Sequence, residues 1–209
     1  LTLGEPDFDV PENIKEAAFA AINNNFSHYS PVPGFLDLRE AISAKLKRDN
    51  HLEYSATQIC VSNGAKQAIL NVLASIINDG DEVILPAPYW VSYDEMVKMM
   101  AGQSVIVNTS IDTEFKMTAE QLEKAITPKT KALLYSSPCN PSGSYYTREE
   151  LEGIANVIAK YPQITIISDE IYEYTNYEGK HTSIAEFPQV YEQTAVINGM
   201  SKAFAMTGW

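Results

Sequence analysis

Lys202 stands in "VINGMSKAFAMTGW" (196–209), after an apolar run and before small and apolar residues, with no acid in that stretch to pair with it. A lysine so placed is either an ordinary surface residue or an amine whose desolvation frees its neutral form for Schiff-base chemistry. Other stretches raise the same kind of question. "SNGAKQAIL" (62–70) runs a Ser-Asn-Gly turn into an apolar helical pattern. The backbone N–H groups of Gly64, Ala65 and Lys66 would then form an anion cradle at a helix N-terminus, or else simply cap a helix. "ISDEIYEY" sets Asp169 at the end of a very apolar run, with Tyr172 three residues on. A carboxylate there is costly without a cationic partner, so it reads as a counter-ion for a buried ring nitrogen, or as a helix cap or a solvated pair with Glu170. "SSPCNPSG" holds Asn140 between prolines that fix the backbone, either to aim its amide or only to make a turn. Trp90 in "PAPYWVSY" is either core or a stacking platform for a flat ring.

The elements that must position these residues follow from periodicity. "DVPENIKEAAFAAINNN" and "GFLDLREAISAKLKRDN" read as helices, the first with Asp9 as its cap, and "HYSPVPG" between them reads as irregular. From Gln58 onward strands alternate with helices. The strands are 58–62, "DEVILPA", "SVIVNT", 131–136, "ITIIS" and "TAVING". The helices are 64–79, 89–101, 118–126 and 147–160, the last opened by the capping box Thr147-Arg148-Glu149-Glu150. Short apolar strands alternating with helices predict an α/β fold, a mostly parallel (mixed) sheet sandwiched by helices. The polar stretches "SNGAK", "SSPCNPSG", "SDEIY" and "NGMSK" each follow a strand, and in such a sheet the strand carboxyl ends face one crevice where ligands bind. An amine, a phosphate cradle, a counter-ion, an orienting Asn and a stacking Trp together are what a pyridoxal 5'-phosphate site requires.

Composition narrows the classes. The 209 residues carry a net charge of −12, which disfavours nucleic acid and anionic membrane as partners. No apolar run reaches the roughly 18–20 residues of a membrane-spanning helix, and "LTLGEPDFDV" lacks the basic and apolar regions of a signal peptide. Cys60 and Cys139 form no CxxC motif, and Cys60 in "QICVS" reads as a buried reduced thiol, in keeping with a cytoplasmic location. His28, His51 and His181 are far apart without metal-ligand spacing and read as ordinary polar residues; no metal site is expected. No GxGxxG or P-loop pattern occurs, which demotes a generic nucleotide-binding domain.

The motifs "LTLGEPDFDVP", "YSPVPGFLDLREAI", "SNGAKQA", "PAPYWVSY", "SSPCNPSG", "SDEIYEY" and "GMSKAFAMTGW" together resemble those of the class I aminotransferases, the fold type I pyridoxal-phosphate enzymes, in the expected order along all 209 residues. "PYWVSY" and "KAFAMTGW" are most similar to the bacterial aspartate (aspartate/prephenate) branch. The resemblance implies an amino-group transfer between L-aspartate, or a related amino acid, and 2-oxoglutarate by a ping-pong mechanism. It implies that Lys202 holds the cofactor covalently and shuttles the proton, and that Asp169 pairs with the pyridinium nitrogen. Tyr172 and Asn140 would bond the ring's phenolic oxygen, and Trp90 would stack on the ring. Gly64, Ala65 and Lys66 would hold the phosphate. Gly4, Trp90 and Asn140 would meet the substrate. Tyr29 would reach the phosphate of a neighbouring subunit, which implies a homodimer. The family's serine three residues before the lysine is Gly199 here, and Ser201, beside Lys202, is counted with the cofactor residues.

The resemblance further implies an N-terminal arm before Leu1, an arginine after Trp209 and a C-terminal small domain. The 209 residues therefore correspond to the cofactor-binding large domain, with 1–57 a helical segment and 58–209 the alternating core. Two rivals stand beside this reading. One is a lyase, decarboxylase or synthase of the same cofactor family; the other is a non-catalytic fragment that keeps only the fold.

Overall fold

The computed structural model describes residues 4–177 and 179–209. Leu1 to Leu3, the start of the first motif, lie outside the described residues. The chain divides into two compact units, one of residues 1–64 and 199–209, the other of residues 65–198.

In the first unit, α1 (Glu12–Asn23) and α2 (Leu36–Asn50) match the two expected helices, and 28–34 between them is irregular. The cap of α1 is Pro11 and not Asp9, and no side chain caps it. Proline tolerates this position because its missing N–H is one that the first turn leaves unpaired anyway. The expected strand over 58–62 does not form: Ala56–Gln58 is a single 3-10 turn and 59–62 has no ladder partner among the described residues. Val61 instead donates its N–H to Pro33 O at 3.0 Å and packs over Gly34. Cys60 beside it is exposed, not buried, because no neighbouring strand covers it.

Gly34 is required where it stands. Its φ is +94°, and a Cβ there would lie 2.7 Å from Val61 Cγ2. Gly34→Ala is therefore expected to cost about 2 kcal/mol or more, from backbone strain plus overpacking. A urea midpoint shift of the corresponding size, with an unchanged slope, checks it.

The second unit is built on a sheet of five strands among the described residues, β1 (Glu82–Ala87), β2 (Gln103–Asn108), β3 (Thr130–Ser136), β4 (Thr165–Asp169) and β5 (Thr194–Ile197). The spatial order is β2-β1-β3-β4-β5 and every pairing is parallel. Side chains alternate across it. Ile84, Leu133, Tyr135 and Ile166 face one core with Leu122 of α5 (Ala119–Ala125) and Leu151, Ile154 and Ile158 of α6 (Arg148–Ile158). Val83, Leu85, Ala132, Leu134 and Ile167 face the other with Ile69 and Leu73 of α3 (Gly64–Ile76) and Tyr93, Met96 and Val97 of α4 (Ser92–Met99). Both faces are covered, so the strands read as continuous apolar runs. Thr147 and Thr118 close reciprocal capping boxes with Glu150 and Gln121, fixing where α6 and α5 begin.

This order has consequences for position. The chain leaves β1 for α4 on one face and leaves β3 for α6 on the other, so the carboxyl ends of β1 and β3 border the point where the winding reverses. Such a point is where open parallel sheets bind ligands.

Candidate functional site

The loops after β1 and β3 meet at that reversal: Cys139 Sγ lies 3.4 Å from Pro88 O as donor. The first loop carries Trp90 and the second Asn140, both among the residues singled out from sequence. Trp90 meets Tyr93 edge-on at 5.6 Å between ring centroids. The Lys66 ammonium, in the first turn of α3, lies 4.9 Å from the Trp90 ring centre, a cation over an aromatic face. The ring is thus held from two sides in a fixed plane. Gly64 opens α3 with φ +78°, and among the described residues, its chain neighbours and own helix backbone aside, no atom lies within 4 Å of the place its Cβ would take. The backbone N–H groups at the start of a 13-residue helix follow directly from it.

Asp169 is the last residue of β4, in register with Ser136 of β3 and Ile197 of β5. It is 3% exposed. Tyr93 donates its hydroxyl to Oδ2 at 2.6 Å and Ile171 donates its N–H to Oδ1 at 3.2 Å. Burial, opposed in part by these two donors, pushes the carboxyl up from its ordinary 3.8 to about 6. The same surroundings push the Tyr93 phenol far upward, burial first and then the Asp169 charge, so it stays a donor. Among the described residues no cation pairs with Asp169. A buried carboxylate so treated fits a cationic partner from outside the chain, such as a protonated ring nitrogen. The solvated pair with Glu170 is not what the structure holds: both carboxylates are buried and, as successive residues at a strand end, they point to opposite faces.

Tyr172 follows in the turn after β4. Burial raises its phenol, then the charge of Asp169, while a hydrogen bond with the Asn140 side chain lowers it. The 65–198 unit therefore brings together Lys66 with Trp90, Asn140 with Tyr172, and Asp169 with Tyr93.

Tyr93 was not singled out from sequence; in "PYWVSY" it reads as one aromatic of a helix. Its position three residues after Trp90 on the first turn of a helix leaving β1 was the available signal. Tyr93→Phe is expected to destabilise the protein by about 1–3 kcal/mol above pH 6, where the buried carboxylate is ionised and loses a charge-assisted donor. Urea unfolding at pH 8 measures it. His181, read from sequence as an ordinary polar residue, has its side chain 8% exposed and set against Glu170.

The other unit contains Gly4, Tyr29, Ser201 and Lys202. Lys202 donates its ammonium to Gly4 O, and a Cβ on Gly4 would lie 3.6 Å from Lys202 Nζ. Thr207 donates to Glu5 Oε1 at 2.9 Å, a second link between residues 4–5 and 202–207. The sequence stretches that begin and end the chain's site motifs are thus joined in one place. Tyr29 is fully exposed. No group of His, Cys, Asp and Glu among the described residues is placed to hold a metal ion.

Comparison with known proteins supplies the frame for this arrangement. The chain is 48% identical over 211 positions to a probable aspartate/prephenate aminotransferase of Rickettsia bellii, covering 100% of this chain and 53% of that protein. It is 47% identical to the aspartate/prephenate aminotransferase of Nitrosomonas europaea, again over 53% of its length. The chain thus spans about half the length of the curated relatives it matches. Among solved structures, the aspartate aminotransferase of Rhizobium meliloti superposes with a TM-score of 0.98 at 40% identity, over 100% of this chain and 53% of that one. That of Thermus thermophilus with maleate gives 0.96 at 45%, over 100% and 54%. The family model "Aminotransferase class I and II" matches residues 1–209 without a break, and on that match the chain belongs to the class I and II aminotransferases.

Proposed function

We propose that this chain is the cofactor-binding large domain of a pyridoxal-phosphate-dependent aminotransferase that moves an amino group between L-aspartate, or a related amino acid, and 2-oxoglutarate. The observation that carries it is Asp169, a buried carboxylate raised to about 6 at the carboxyl end of β4 with no cation paired to it among the described residues. Names of relatives support aspartate as donor and prephenate as a further acceptor.

When bound, the cofactor supplies an electron sink for charge developing at the substrate α carbon. The chain's residues do the rest. Lys202 Nζ would hold the cofactor and would carry the substrate α proton as a general base. Asp169 holds the ring nitrogen protonated, and Tyr93 keeps Asp169 ionised and oriented. Asn140 and Tyr172, already bonded to one another, would hydrogen-bond the ring's phenolic oxygen, and Asn140 would also contact the substrate carboxylate. Trp90, fixed by Lys66 and Tyr93, stacks on the ring. The N–H groups of Gly64, Ala65 and Lys66 would hold the phosphate, and Ser201 would be a further donor to the cofactor. Gly4 presents its backbone to the substrate. The exposed Tyr29 would reach the phosphate of a second subunit in a homodimer with shared sites. A cytoplasmic location fits a net charge of −12 and the absence of any membrane-crossing helix among the described residues.

The test is a product analysis. Full-length protein with pyridoxal phosphate, L-aspartate and 2-oxoglutarate should yield L-glutamate and oxaloacetate in equal amounts. Amine or carbon dioxide release without a new amino acid would replace the reading with a lyase or decarboxylase.

A further inference from the structure

Glu170 is 1% exposed, one residue beyond Asp169, and no role above uses it. It lies on the opposite face of the strand end from Asp169, beside Ser168 and Tyr135. Its carboxylate is fully engaged. Ser168 and Ser183 donate their hydroxyls to Oε1 at 2.9 and 2.7 Å, and His181 Nε2 lies 2.9 Å from Oε2. Ser168 Oγ also lies 3.1 Å from the Tyr135 hydroxyl, tying the cluster to β3. The Glu170 N–H bonds Ile197 O of β5 at 2.8 Å, and its carbonyl accepts from Glu173 N at 3.0 Å.

His181 and Ser183 are eleven and thirteen positions away in sequence. One side chain thus closes the excursion that starts with Ile171 and Tyr172 and returns at 181–183. Closing a segment at both ends removes conformations from the residues beside the closure. Tyr172 stands at the start of that excursion, and Asp169 shares the backbone from which it leaves.

From this geometry we propose that Glu170 is a positioning residue: anchored by Ser168, His181 and Ser183, it fixes the turn that presents Asp169 and Tyr172. The inference rests on the functional reading above. It differs from a packing role in what it moves. A buried carboxylate kept only for stability would change the unfolding midpoint. One that sets the angle of two cofactor-holding groups changes affinity and the environment of the bound cofactor.

The experiment uses full-length apo protein titrated with pyridoxal phosphate, following intrinsic fluorescence for affinity and the bound cofactor's absorbance against pH. Glu170→Ala is expected to weaken binding about tenfold or more and to displace the absorbance–pH profile, as small misplacements of positioned groups do. Glu170→Gln still accepts from Ser168 and Ser183 and is expected to return affinity to within about twofold of wild type. If Glu170→Ala gives no folded protein, Ser183→Ala, which removes one anchor, is expected to weaken binding several-fold. Affinity and profile unchanged in the folded variant, whatever its thermal stability, overturn the inference alone. A wild-type protein that takes up no pyridoxal phosphate overturns the functional reading and this inference with it.

Discussion

Lys202→Ala in the full-length protein is expected to lower transamination by about 10⁴-fold, the upper end of what a general base contributes. On the function proposed above, two jobs are lost at once. The variant has no amine to attach the cofactor, and none to carry the proton from the substrate α carbon. Removing a group that acts in both steps leaves nothing for the neighbouring residues to compensate. Lys202 donates to Gly4 O, so its ammonium is held at a defined place by backbone and is not sweeping the surface. Alanine removes that bond and leaves the Gly4 carbonyl to solvent, a small structural change. The fold should survive, so circular dichroism and unfolding should match wild type while turnover does not. Steady-state assay of L-glutamate formation measures the effect, and a rate within tenfold of wild type would show that another group does this work.

Asp169→Asn is expected to act in opposite directions on stability and on cofactor binding. In the apo protein, burial lifts the carboxyl from 3.8 to about 6. The folded state then holds the proton more tightly than the unfolded state, so folding loses free energy as pH rises through that window. Below about pH 4 both states are protonated and there is no cost. Above about pH 6 both are ionised and the cost is complete, about 3 kcal/mol for a shift of this size. Asparagine lacks the ionisation. Its amide keeps an acceptor for the Ile171 N–H and can donate to Tyr93, whose hydroxyl also accepts. The variant's stability relative to wild type should therefore climb by about 3 kcal/mol between pH 4 and pH 7, read by urea unfolding across the range.

Cofactor binding should go the other way. A cationic ring nitrogen beside asparagine is a buried charge without its partner, which costs about 3–5 kcal/mol, or 10²–10³-fold in affinity. A variant that is more stable and yet binds worse would mark Asp169 as a residue retained for chemistry against its own cost to the fold. Equal stability at all pH values would mean that the carboxylate is not desolvated as described.

How far the sequence reached can be judged residue by residue. The strand and helix alternation over 82–169 was legible because both faces of the sheet are covered, so each strand is apolar throughout and bounded by turn residues. The capping boxes at Thr118 and Thr147 were written in four residues each, and Thr147 was read directly. The 58–62 segment misled because β-branched and apolar residues fit a strand equally well when they pack on a glycine turn. Val61 over Gly34 satisfies it without a ladder, and no local pattern distinguishes the two. Cys60 was misjudged for the same reason.

That Asp169 would be a buried carboxylate ending a strand was legible because an acid closing an apolar strand has few inexpensive explanations. Its supports were not. Tyr93 reaches it from 76 positions away, and Glu170 is engaged by His181 and Ser183 across a turn. These pairings depend on sheet register and loop closure, which periodicity does not encode. Glu170 and His181 gave no sign of their pairing because the sequence shows charge but not which side chains loop closure brings together.

The most direct measurement is chemical. Full-length protein is incubated with pyridoxal phosphate, reduced with borohydride and digested, and the pyridoxyl-lysine is located by mass spectrometry. The account predicts one stoichiometric adduct, on Lys202. An unmodified Lys202, with label absent or spread over other lysines, would contradict it.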